Sequence, residues 1–149
     1  MDHQKEYPPE YLARILSEVK TIAMVGASSD ATKFSYGVLR VLHEQGYNMK
    51  PVNPMEAGNK IRGLKVYASI AAIDEPVDMV QVFRASNALP GIAQEAIDAG
   101  AKVLWGQIGV YSEEAAKLAE DAGLRVVMNR CPKIELFRPF WKPKLHQAI

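Results

Sequence analysis

The stretch TIAMVGASSDATKFSYGV, Thr21 to Val38, runs as strand, tight turn, polar loop and helix start in immediate succession. Ile22, Ala23, Met24 and Val25 form a short apolar run of the kind buried on both faces of a parallel sheet. Gly26 ends it where the backbone must turn sharply. The next six residues, Ala27, Ser28, Ser29, Asp30, Ala31 and Thr32, carry only small side chains, so a ligand can approach the main chain closely. Ser35 is the expected N-cap of the apolar-periodic segment that follows. The N–H groups at such a helix start have no partner inside the helix and favour an anion by about 0.3 to 1 kcal/mol. Two serine hydroxyls and Lys33 can add charge-assisted contacts to a phosphate. Any doubly wound α/β protein needs a tight first turn, so this stretch alone does not name a ligand.

Working outward, Pro8 and Pro9 open a helix within residues 1–19 whose apolar stripe is Tyr11, Leu12, Ile15, Leu16 and Val19. A second helix is predicted over about 35–45, closed by Gly46, and a second strand over 47–52, broken by Asn53-Pro54. Residues 55–65 read as a polar loop holding Lys60, Arg62 and Lys65, followed by a short Val66-Tyr67 strand. Further strands are expected over 78–83, 102–105 and 125–128, alternating with helices over about 88–99 and from Ser112 to Gly123. The tail beyond Lys133, with 137–149 as its end, carries Phe137, Phe140 and Trp141. Five main strands alternating with helices imply an α/β, Rossmann-like, doubly wound fold: a mainly parallel sheet in three α/β/α layers.

Composition narrows the function. At 149 residues, one domain over 1–149 is the default. Eighteen basic against 17 acidic residues leave a net charge of +1, too little field for nucleic acid or an anionic membrane. Cys131 is the one cysteine, which excludes an internal disulfide and fits a reducing compartment. No apolar run approaches the length of a membrane span, and MDHQKEYPPE is too polar for a signal peptide, so a cytoplasmic protein is expected.

In open parallel sheets ligands bind outside the carboxyl ends of the strands, where the strand order reverses. A nicotinamide dinucleotide fits poorly there: a G-x-G-x-x-G pattern would need glycines at 26, 28 and 31, where the chain has Gly26, Ser28 and Ala31. The ribose-binding acid expected at the end of the second strand is replaced by Asn53. NADP stays as an alternative, because Lys50, Lys60 or Arg62 can pair with a 2′-phosphate.

The segments VGAS, KFSYGVLRVL, GYNMKPVNP, GLKVYASIAAI, PVDMVQVFR, AIDAGAKVLWGQIGV and RVVMNRCPKIE, in this order over about 20–136, resemble the stand-alone CoA-binding domain proteins of bacteria and archaea. Those are similar in fold to the CoA-binding domain of the succinyl-CoA synthetase alpha subunit. The resemblance implies that CoA or an acyl-CoA is held with its diphosphate against Gly26, Ala27, Ser28 and Ser29, where Lys33 and Ser35 match the family's KFS. Asn53 and Pro54 match the nucleotide-side loop, Phe83 and Arg84 the FR pair ending the middle strand, and Trp105 and Gln107 the W-x-Q turn. One departure is Met55, where the family often carries a lysine suited to a ribose phosphate; Lys60 or Arg62 can replace it, or the phosphate is solvated.

Ligase chemistry does not carry over, since the synthetase needs a phosphohistidine and His3, His43 and His146 all lie away from strand ends. Cys131 lacks an obvious base and reads as a buried, inert thiol, and Glu135 as a helix-start acid. The expectation is therefore a non-catalytic CoA-binding module with no catalytic or metal-ligating residues. The alternative is an NADP-linked or CoA-dependent enzyme component completed by another chain. The tail aromatics would cover the core, a homodimer face or another protein partner.

Overall fold

The computed structural model describes residues 1–138. Helix α1 (Pro9–Glu18) leads into β1 (Thr21–Val25), α2 (Phe34–Glu44) and β2 (Asn48–Val52). A small antiparallel hairpin, β3 (Lys60–Ile61) and β4 (Leu64–Lys65), precedes β5 (Met79–Val82) and α3 (Leu89–Asp98). The chain continues through β6 (Val103–Gly106), α4 (Glu113–Asp121), β7 (Arg125–Val127) and α5 (Pro132–Leu136).

The five main strands pair in parallel in the order β2-β1-β5-β6-β7. All five residues of β1 are buried, because this strand is central and covered on both faces. On one side Leu12, Ile15 and Leu16 of α1, Val38, Leu39 and Leu42 of α2 and Leu136 of α5 pack on Ile22, Met24, Met79 and Trp105. On the other, Leu89, Ile92 and Ala93 of α3 and Ala115, Ala116 and Ala119 of α4 pack on Ala23, Val80, Val82 and Leu104. The result is the expected α/β/α arrangement.

Four local expectations are corrected. Ser35 is not an N-cap: Lys33 holds that position with no capping side chain, and Ser35 lies one residue inside α2, buried. The 55–65 segment is not all loop; Arg62 (φ 51°) and Gly63 (φ 80°) make the tight reversal that closes the β3–β4 hairpin. Val66-Tyr67 forms no strand, only a single parallel bridge from Tyr67 to Val52. The segment after Cys131 forms α5, started by Pro132 at its first position.

That bridge matters for topology. Tyr67 N–H donates to Pro51 O and Asn53 N–H to Tyr67 O, both at 2.9 Å, on the edge of β2 away from β1. Tyr67 is thus a one-residue remnant of a strand outside β2, and counting it restores the 3-2-1-4-5-6 order of a Rossmann sheet. The order reverses between β1 and β5, the position where such folds open a crevice.

Three tyrosines, Tyr7 and Tyr47 buried and Tyr11 half-buried, pin the N-terminal segment to this sheet. The Tyr7 hydroxyl accepts from Met128 N–H at 2.7 Å, Tyr11 donates to Val126 O at 2.8 Å, and Tyr47 donates to Leu16 O. Burial raises all three phenol pKa values, that of Tyr7 to about 12 from 10.0. A phenol whose folded pKa lies above its unfolded one stabilises the fold fully below pH 10. That contribution is lost as pH rises toward 12. A pH series of melting temperatures is expected to stay level up to about pH 9.5 and then fall, with a shallower fall in Tyr7→Phe. An equal alkaline slope in both proteins would remove Tyr7 from this account.

Candidate functional site

At the carboxyl ends of β1 and β5 the chain brings two groups of residues together. Gly26 has φ +92°, and a Cβ placed on it would lie 2.4 Å from Phe83 O and 3.2 Å from Arg84 Cδ. The first turn therefore rests directly on the end of β5, with the Arg84 stem laid against it. Only glycine permits that approach.

The second group is a staple between the loops after β1 and β2. Asn53 caps a 3-10 turn over Pro54–Glu56 by accepting Met55 N–H at 2.9 Å. Its amide Nδ2 donates to Ala27 O at 2.8 Å and lies 3.5 Å from Glu56 Oε2. Glu56 Oε2 also accepts from Ser29 N–H at 3.1 Å. Within the turn, Ser28 Oγ accepts from Asp30 N–H at 3.1 Å, and the Asp30 carboxylate accepts from Thr32 N–H and its hydroxyl. The Thr32 bonds hold the Asp30 carboxyl below its usual range, so Asp30 stays charged. These internal bonds define the shape of the loop.

The start of α2 completes this edge. α2 has no capping side chain and no acid in its first turn, so no side chain caps the N–H groups and positive dipole end that open it. The turn over Pro54–Glu56 and α4 are capped, by Asn53 and Ser112. Lys33 and Pro54 are exposed at this edge, after β1 and β2 respectively.

Trp105 and Gln107 are placed differently. Trp105 is fully buried in the face covered by α1, α2 and α5, its indole N–H donating to Arg130 O at 2.9 Å. Gln107 is buried and its Oε1 accepts from Gln81 Nε2 at 2.9 Å. Gln81 Oε1 and Gln107 Nε2 have no partner among the described residues. Such orphaned groups cost about 1 to 3 kcal/mol each. Lys50, weighed as a 2′-phosphate partner, is ion-paired with Glu75 at 2.9 Å instead. Cys131 is buried at the start of α5. Of the tail aromatics, Phe137 is exposed, and Phe140 and Trp141 lie outside the described residues.

Sequence reasoning missed four participants. Glu56 was signalled by Asn53-Pro54-Met55-Glu56, an N-cap followed three residues later by Glu. Gln81 was the one polar residue in an apolar strand. Phe34, Met55 and Ile108 are exposed, at the first residue of α2, in the 3-10 turn after β2 and on the loop after β6 respectively, so all three border the carboxyl edge. Among the described residues no group of histidine, cysteine and carboxylate side chains can hold a metal, and no helix is long and apolar enough to cross a membrane.

A family model described as a CoA binding domain matches residues 20–136. The chain is 37% identical over 123 residues to YneT of Bacillus subtilis, covering 83% of this chain and 90% of that protein. It is 29% identical over 122 residues to the alpha subunit of an ADP-forming acetate–CoA ligase I of Pyrococcus furiosus, covering 72% of this chain but only 26% of the subunit. A solved hypothetical protein from Pyrococcus horikoshii superposes with a TM-score of 0.82 at 37% identity, covering 87% of this chain and 90% of that one. A dinucleotide-forming acetyl-coenzyme A synthetase of Ca. Korarchaeum cryptofilum gives 0.64 at 27% identity, covering 77% of this chain and 27% of its own.

Proposed function

Since this chain belongs to the CoA binding domain family, we propose that it binds CoA or an acyl-CoA without transforming it, at the carboxyl edge between β1 and β5. The observation that carries this reading is the first turn: Gly26 packed on Phe83 O, small residues after it, and an uncapped α2 start. A diphosphate there meets Ser28, Ser29 and the N–H groups opening α2, with Lys33 and Arg84 as the cations at hand. Asn53 positions the turn, because its three polar contacts are all internal. Exposed Phe34, Met55 and Ile108 supply apolar surface for the adenine or the pantetheine arm.

The 3′-phosphate partners would come from the β3–β4 hairpin. Lys60 and Lys65 face each other directly across it, a like-charge pair that opposes folding and favours a nearby anion. Arg62 at its tip lies 5.8 Å from the Tyr36 ring on the first turns of α2. The NADP alternative loses Lys50, which is paired with Glu75, but keeps Lys60 and Arg62.

A component role is the second reading, favoured by the ligase subunit of which this chain spans about a quarter. In that case a partner chain supplies the catalytic groups, and turnover appears only when it is added.

Ser28→Asp tests the first turn. An aspartate can still accept Asp30 N–H, so the loop keeps its shape while a carboxylate faces the diphosphate. CoA affinity is expected to fall about ten- to a hundredfold, as a like-charge clash of about 1 to 3 kcal/mol in a part-desolvated site. Unchanged affinity in titration would mean that the diphosphate lies elsewhere.

A further inference from the structure

Glu56 stands where its own helical turn does not need it. In an N-cap-x-x-Glu sequence the glutamate ordinarily folds back onto the N-cap N–H. Here Asn53 N–H is already given to Tyr67 O, the remnant of the strand outside β2, at 2.9 Å. The carboxylate crosses instead to the first turn and takes Ser29 N–H at 3.1 Å, held beside Asn53 Nδ2 at 3.5 Å. Among the described residues it makes no ion pair. An anion of this chain thus sits on a donor that a bound phosphate would use.

We propose, on the premise that the diphosphate binds at this turn, that Glu56 is the internal stand-in for it and sets the affinity of the site. One N–H cannot serve two anions, and two anions at hydrogen-bonding distance of it repel each other. CoA must therefore turn the Glu56 carboxylate away before its diphosphate can seat. The side chain is part exposed and long, so a change of rotamer is enough and the backbone need not move. Binding without this competitor is tighter, and the effect is electrostatic, so salt diminishes it.

The test is calorimetric titration of the wild type, Glu56→Ala and Glu56→Gln with CoA, at low and high ionic strength, after thermal melting has shown each to be folded. Glu56→Ala is expected to bind CoA about tenfold more tightly at low salt, with Glu56→Gln between it and the wild type and the difference shrinking toward 1 M salt. A purely structural Glu56 predicts the opposite sign, since losing it would loosen the turn. If the wild type binds CoA and both variants bind it equally or more weakly, Glu56 is no competitor and the CoA site stands. If neither the wild type nor the variants bind CoA, the CoA reading fails and the competitor role falls with it.

Discussion

Gly26→Ala is expected to lower the melting temperature by about 4 to 20 °C and to remove CoA binding. The left-handed backbone at φ +92° costs any residue with a Cβ about 1 to 2 kcal/mol. The added methyl would also meet Phe83 O at 2.4 Å and Phe83 C at 3.0 Å, which are main-chain atoms of the residue directly after β5 and cannot rotate aside. Overpacking of this kind costs about 1 to 3 kcal/mol more. Together that is about 2 to 5 kcal/mol, at about 2 to 4 °C each for a chain of this size. Relief comes only by moving the first turn off β5, which dismantles the cradle. A melt and a CoA titration on the same preparation check both halves; a variant as stable as the wild type would mean that the turn does not rest on β5.

Trp105→Ala is expected to destabilise the chain by about 3 to 5 kcal/mol, the usual cost of emptying a large aromatic site. Trp105 is fully buried beside Met24, Met79 and Val127 and satisfies Arg130 O through its indole N–H. The milder Trp105→Phe keeps most of the volume and gives up that hydrogen bond, at about 1 to 3 kcal/mol for the carbonyl left behind. Denaturant melts measure the stabilities. CoA titration of Trp105→Phe then separates two roles the sequence left merged: a packing residue leaves the dissociation constant within about twofold, whereas a tenfold loss in the folded variant would make the indole a ligand contact.

The contrast between Gly26 and Trp105 shows what was legible in the sequence. Apolar runs and glycine stops fixed the strands, the helices and their parallel arrangement, because burial on both faces leaves a continuous apolar signature. Gly26 could be read as a turn, yet the closeness of Phe83 could not, since it depends on strand register. Trp105 sits at a strand end in the sequence, but which face its side chain takes is decided by pairing with Gln81. Ser35 looked like a cap by residue type, while the helix begins one residue earlier at Phe34 and buries it. Val66-Tyr67 was expected to form a short strand and contributes one bridge through Tyr67, the surrounding chain being committed to the hairpin and the turn at Ser69. Glu56 was hidden for a related reason. Its capping pattern was visible, but that the N-cap N–H was already taken by Tyr67 was a tertiary fact.

The measurement that bears most directly on the whole account is a calorimetric titration of ligand-stripped protein with CoA, run beside dephospho-CoA, acetyl-CoA and NADP. Saturable binding of CoA near −8 kcal/mol, about micromolar, with little response to NADP, is the predicted result. Weaker binding of dephospho-CoA would show that a 3′-phosphate contact survives despite Met55. Silence toward every CoA form together with saturable NADP binding would contradict the account and assign the crevice to a dinucleotide.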